Sequence, residues 1–155
     1  MDRVLVENWN SIVTDQDIVY HLGDFSFGPA TKYMKLLNGT KCFVRGNHEK
    51  PLLNLINIKD VPYIRHLQIE SYPSITLCHF SMRVWHKSHF GAYHLFGHSH
   101  GRLEPYKRSV DVGVDSHWIT GKQEFRPFSC EEVCDYLEKR QGEKLEDVYG
   151  ERDEE

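Results

Sequence analysis

The stretch LFGHSHGR, Leu95 to Arg102, places two histidines one residue apart between glycines, directly after an apolar run. Side chains alternate faces along a strand, but just past a strand end two imidazoles can converge on one point. The glycines let the backbone turn sharply and approach closely there. Such a pair suits a metal ion if other segments supply further ligands. Apolar runs ending in ligand-type residues recur at HLGD (Asp24), VRGNH (Asn47 and His48), TLCH (His79) and FGHSH (His98 and His100). Strand ends and the loops after them are where α/β folds gather functional residues. Carboxylate, amide oxygen and imidazole together suit Mn, Fe, Zn or Co better than calcium or a thiolate-type zinc site. A glycine precedes Asp24, Asn47 and His98, giving each ligand room at a tight turn.

These ligands need a scaffold, and 155 residues with 39% hydrophobic content are enough for one compact core. The domain is expected over 1–140, followed by an acidic tail over 141–155 that is poor in apolar residues. A net charge of -4 gives no general basic field for nucleic acid, although a local basic patch is compatible with it. Cys42, Cys78, Cys130 and Cys134 form no zinc-type C-x-x-C pair, so buried or half-buried free thiols in a reducing cytoplasm are expected. No secretory leader and no run of membrane-spanning length is visible, which agrees with a cytoplasmic protein and no membrane partner.

Periodicity supplies the elements. MDRVLVENWNSIV has Val4, Leu5, Trp9, Ile12 and Val13 at helical spacing with one buried stripe. DIVYHLGD reads as a buried strand, PATKYMKLLNG as a helix from Pro29 to a stop at Gly39, and TKCFVRGNHEK as a second strand. PLLNLIN is expected as a brief helix, and YIRHLQIE and SITLCHF as paired strands around SYPS. AYHLFGHSH and RSVDVGVD are further strands. Ser129 to Glu132, SCEE, is a capping box opening a helix over CEEVCDYLEKR. Strands mixed with helices predict an α/β sandwich of sheets flanked by helices.

The ordered motifs Gly23-Asp24, Gly46-Asn47-His48, His79 and Gly97-His98-Ser99-His100 resemble those of the calcineurin-like metallophosphoesterases, especially short bacterial and phage types. The likeness spans most of the chain before the tail. It implies the family's sandwich of mixed β-sheets, and hydrolysis of a phosphodiester or phosphomonoester by a metal-activated hydroxide. It also implies two divalent ions drawn from Mn, Fe, Zn, Co and Ni, with Mn first, about 3.5–4 Å apart. Carried over, Asp24 bridges both ions, Asn47, His79 and His98 complete the second, and His100 ligates the first. His48 stands outside the metal shell and stabilises or protonates the departing oxygen.

The family's opening D-x-H motif does not precede Asp24. The resemblance therefore implies an N-terminally incomplete domain lacking the first strand, with unpaired sheet edges and a first metal site reduced to Asp24 and His100. A later D-x-H, Asp115-Ser116-His117, is read as structural or part of a substrate loop. Two functions follow: a phosphoesterase, impaired by the missing motif, or a non-catalytic metal-binding or interaction domain derived from one. The substrate class stays open among small phosphoesters, nucleotides and nucleic acid.

Other residues take plainer readings. His21, His66, His86, His89, His94 and His117 are expected on the surface or in the core, His21 packing within its strand. Arg83 could contact a substrate phosphate bidentately, or simply be solvated. Phe25, Phe27, Trp85 and Phe90 are expected to wall the site or fill the core rather than to stack nucleobases.

Overall fold

The computed structural model describes residues 2–52 and 55–140. α1 (Asp2–Ile12) buries Trp9, whose indole N–H donates to Asn38 O at 3.1 Å. The apolar stripe is only partly used: Val4 and Ile12 are exposed. β1 (Ile18–His21) and β2 (Thr40–Phe43) lie in parallel register, Ile18 opposite Thr40 and His21 opposite Phe43. α2 (Ala30–Leu36) makes the crossover that a parallel pair needs. β1, expected to be buried, has Ile18 61% exposed and its other three residues half-buried. The reason is that, among the described residues, β2 is its one strand partner.

The second sheet runs β3 (Ile64–Leu67), β4 (Ile75–Cys78), β5 (Tyr93–Phe96), β6 (Ser109–Asp111). β3 and β4 are antiparallel around the expected turn, and β4, β5 and β6 are parallel. Ile75, Leu77, Tyr93 and Val110 from this sheet share one core with Val44 and with Val133, Cys134 and Leu137 of α3 (Cys130–Lys139). Burying such side chains stabilises by roughly 1.5–3 kcal/mol each, so this cluster anchors the strands whose tips carry the ligands. A second cluster of Ala30, Phe43 and Leu52 lies beside β2, with Phe25 packed against it.

Both halves of the capping box form. Glu132 N donates to Ser129 Oγ at 3.1 Å, and Ser129 N to the Glu132 carboxylate at 2.8 Å. Arg126 also forks onto Glu132 and, through its hydrogen bond above all, draws that carboxyl down to about 2. The described residues of the brief helix expected over 51–57 form turns, with Leu55 and Ile56 N–H groups returning to Leu52 O. Leu53 and Asn54 lie outside the described residues, as does the acidic tail. A 3₁₀ turn, Ile58–Asp60, follows. The four cysteines are free, but Cys130 is exposed because it opens α3 on the solvent side. Among the described residues the fold is mixed α/β with two sheets and three α-helices, none long and apolar enough to cross a membrane.

Candidate metal centre

The tips of β1, β2, β4 and β5 meet at one point. Close backbone contact makes this possible: a Cβ at Gly23 (φ +96°) would lie 2.5 Å from Gly46 Cα and 2.7 Å from His79 Nδ1. No side chain fits there, so glycine lets the three strand ends touch. Gly97 differs from the expectation, since a Cβ there would meet nothing within 4 Å. The turn is made by the ligands themselves, with φ of 56° at Asp24, 63° at His98 and 52° at His100. Left-handed backbone costs a non-glycine residue about 1–2 kcal/mol, and such strain collects at functional sites when neighbours hold it in place.

His79, 2% exposed, sits at the centre. Its Nδ1 lies 2.7 Å from Leu22 O, a group that can only accept, so Nδ1 carries the ring proton. The lone pair of Nε2 then faces Asn47 Oδ1 at 2.8 Å, His98 Nδ1 at 3.1 Å and Asp24 Oδ2 at 3.4 Å. Carboxylate and carbonyl oxygens facing a basic nitrogen repel one another unless a proton or a metal ion lies between them. Ligand atoms around an ion with bonds of about 2.0–2.2 Å stand about 3 Å apart, which is the spacing found here. Asp24, His79 and His98 thus form a group that could hold a metal ion, and Asn47 joins it.

Two carboxylates that the sequence reading passed over shape this centre. Glu49 is buried, and its Oε1 accepts from Gly46 N at 2.6 Å and Asp24 N at 2.9 Å, locking two ligand-bearing turns together. Asp111 is fully buried. Its Oδ2 accepts from Ser99 Oγ and, at 2.9 Å, from Gly101 N, while Oδ1 accepts from Gly113 N at 2.8 Å. It templates the His98–His100 loop. An acidic residue inside the apolar run SVDVGV was the available signal for Asp111; Glu49 had only its place beside His48. Glu49→Ala should weaken metal affinity about 10- to 100-fold, as loss of an orienting partner does. Mn titration of the variant measures this, and wild-type affinity would show that the Asp24 turn holds itself.

The remaining candidates lie apart from the cluster. His48 is exposed; its backbone N–H donates to Asp24 Oδ1 at 2.7 Å and its ring stands 5.7 Å from that of Phe27. His100 turns to Asp115, Nδ1 to Oδ2 at 2.6 Å. Asp115 is therefore a partner for His100, and His117 stacks on Trp118. Arg83 is exposed and lies over the Tyr106 ring at 4.2 Å. Trp85 is buried and Phe25 half-buried, whereas Phe27 and Phe90 are 83% and 79% exposed and fill no core. His94 is fully buried, its Nδ1 donating to Thr76 O and its Nε2 accepting from Met82 N, each at 3.1 Å. His66 and His86 face each other on the surface, and His89 is exposed.

A cleft of about 860 Å³ opens beside the centre, lined by β1, by Trp9 and Val13, by α3 and by the loop after β6. Asp24, His79, His98, His100 and Asp115 all reach it. β1 and β6 are both sheet edges, so the cleft separates the two sheets.

His21 closes β1 and packs against Phe25 and Phe43. Burial pushes its pKa down from 6.5 to about 4, against the pull of Asp24 and helped by His79. Burial lowers His94 as well. The unfolded chain therefore takes up these protons first. Their contribution is fully present above pH 6.5 and is lost as the pH falls, for His21 toward about 4. In chelator, His21→Asn should flatten the drop in thermal midpoint across this window; an unchanged slope would remove His21 as its source.

No family model matches the chain. It is 28% identical over 144 residues to the uncharacterized protein MJ1445 of Methanocaldococcus jannaschii, spanning 90% of this chain and 76% of that one. In structure it is similar to AQ665, a protein of unknown function from Aquifex aeolicus, with a TM-score of 0.56 and 19% identity over 85% of this chain and 82% of the other. The structural likeness is one of fold alone.

Proposed function

We propose that the chain is a metal-dependent phosphoester hydrolase of the calcineurin-like kind, its two sheets corresponding to that family's sandwich. The observation that carries this reading is the gathering of Asp24 Oδ2, Asn47 Oδ1 and His98 Nδ1 around Nε2 of His79. These four atoms would hold one divalent ion, Mn first among the candidates. Bound there, the ion supplies positive charge to a phosphoryl oxygen and makes a water easier to deprotonate. Water adds across the ester: the bond from phosphorus to the departing oxygen breaks, one to the water oxygen forms, and the proton ends on the leaving alcohol. His48, fixed through its backbone to Asp24 but with its ring free, gives that proton.

His100, which the resemblance assigns to the first ion, is engaged by Asp115. One tight ion per chain is therefore expected, with a second bound weakly. The test titrates metal-free protein with Mn, counts ions, and follows hydrolysis of bis(p-nitrophenyl) phosphate. Tight binding with no turnover favours the non-catalytic metal-binding reading, and no binding sinks both.

A further inference from the structure

We propose that the site takes its phosphoester as a nucleoside phosphate, whose base rests on the exposed phenyl rings of Phe27 and Phe80. This rests on the phosphoesterase reading and goes further by naming the substrate class. Phe80 follows His79 directly; its ring lies 4.7 Å from that of His79 and 4.8 Å from that of His98, edge to face in both cases, while 41% of the residue stays exposed. On another side Phe27, 83% exposed, stands beside the His48 ring. Phe80 thus borders the ligand cluster, and Phe27 borders His48, whose backbone N–H is bound to Asp24, each with area open to solvent.

Phe27 is held outward by its neighbours. Phe25, two residues earlier, packs against the Ala30, Phe43 and Leu52 cluster, and Ser26 Oγ donates to Gly28 O at 3.0 Å. Phe80 is placed by β4, whose tip is tied to the next strand where Gly97 N donates to His79 O at 3.1 Å. Both rings therefore present surface from supported backbone. A flat base covers such surface by stacking, and an alkyl ester leaves it wet. A monomer suits the site better than a polymer, because a net charge of -4 opposes tracking along a phosphate backbone.

The experiment uses two diesters with the same methanol leaving group, adenosine 5′-(methyl phosphate) and ribose 5-(methyl phosphate), on the Mn-loaded chain. Stacking predicts that the nucleoside ester is favoured at least about 10-fold in kcat/KM. Phe27→Leu and Phe80→Leu should each cut that ratio about 5-fold. Phe90→Leu, an equally exposed ring lying on His89, should keep it. Equal hydrolysis of both esters, or a ratio unchanged in both variants, overturns the base-stacking proposal and leaves the hydrolase reading intact. Hydrolysis of neither ester overturns the hydrolase reading. Binding of AMP against ribose 5-phosphate by the same protein then decides: tighter AMP binding that weakens in both variants supports the stacking, and equal binding overturns it.

Discussion

His79→Ala is expected to weaken divalent metal binding by on the order of 10² or more, beyond the range seen when only an orienting partner is lost. No other candidate ligand is as central. Its Nε2 stands within 3.4 Å of an atom from each of the other three ligands, and its Nδ1–H is committed to Leu22 O. Removing the ring deletes one ligand and leaves Asp24, Asn47 and His98 facing a hole. Hydrolysis should fall to background with it. His94→Ala is the control for burial, because His94 is just as inaccessible but hydrogen-bonds to Thr76 and Met82 and to none of the four candidate ligands. It should cost stability and leave the metal count at one. Competition against a chelating dye reads the affinity, and circular dichroism shows whether each variant is folded. A folded His79→Ala that binds Mn within a few-fold of wild type would remove His79 from the centre.

Asp24, Asn47, His79 and His98 were legible in the sequence because each follows an apolar run, and parallel strands place such ends on one side of a sheet. Their convergence depended on contacts between strands, which the glycine before Asp24 hinted at without specifying. His100 was a different case: its partner Asp115 lies 15 residues further on, and the H-x-H spacing carries no sign of that. Asp111 carried a signal, an acidic residue within an apolar run, but the partners of Glu49 and most of those of Asp111 are backbone N–H groups, which leave no mark in a sequence. The exposure of β1 was missed for a related reason. An apolar run shows that a strand can be buried, while burial itself depends on how many neighbours it finds. Around 51–57 the apolar pattern spans too few residues to choose between a helix and a turn.

His48→Ala should lower turnover roughly 10²- to 10⁴-fold, the usual range for general acid–base help, while the metal stays bound. The separation of the two effects follows from which atoms His48 uses. Its link to the ligand cluster is the backbone N–H donated to Asp24 Oδ1 at 2.7 Å, and alanine keeps that donor. The imidazole stands 5.7 Å from the Phe27 ring on an exposed residue, so a substrate's departing oxygen has access to it. Neighbouring side chains diverge at a strand end, so Asn47 turned inward to His79 leaves His48 turned out. Loss of the ring should therefore depress kcat and kcat/KM together, as expected for a group that acts in the transition state. The loss should be smaller for a p-nitrophenyl ester than for a methyl ester, because the better leaving group needs less protonation. An equal loss on both esters would argue against proton donation, and loss of bound Mn in His48→Ala would place the residue in the metal shell.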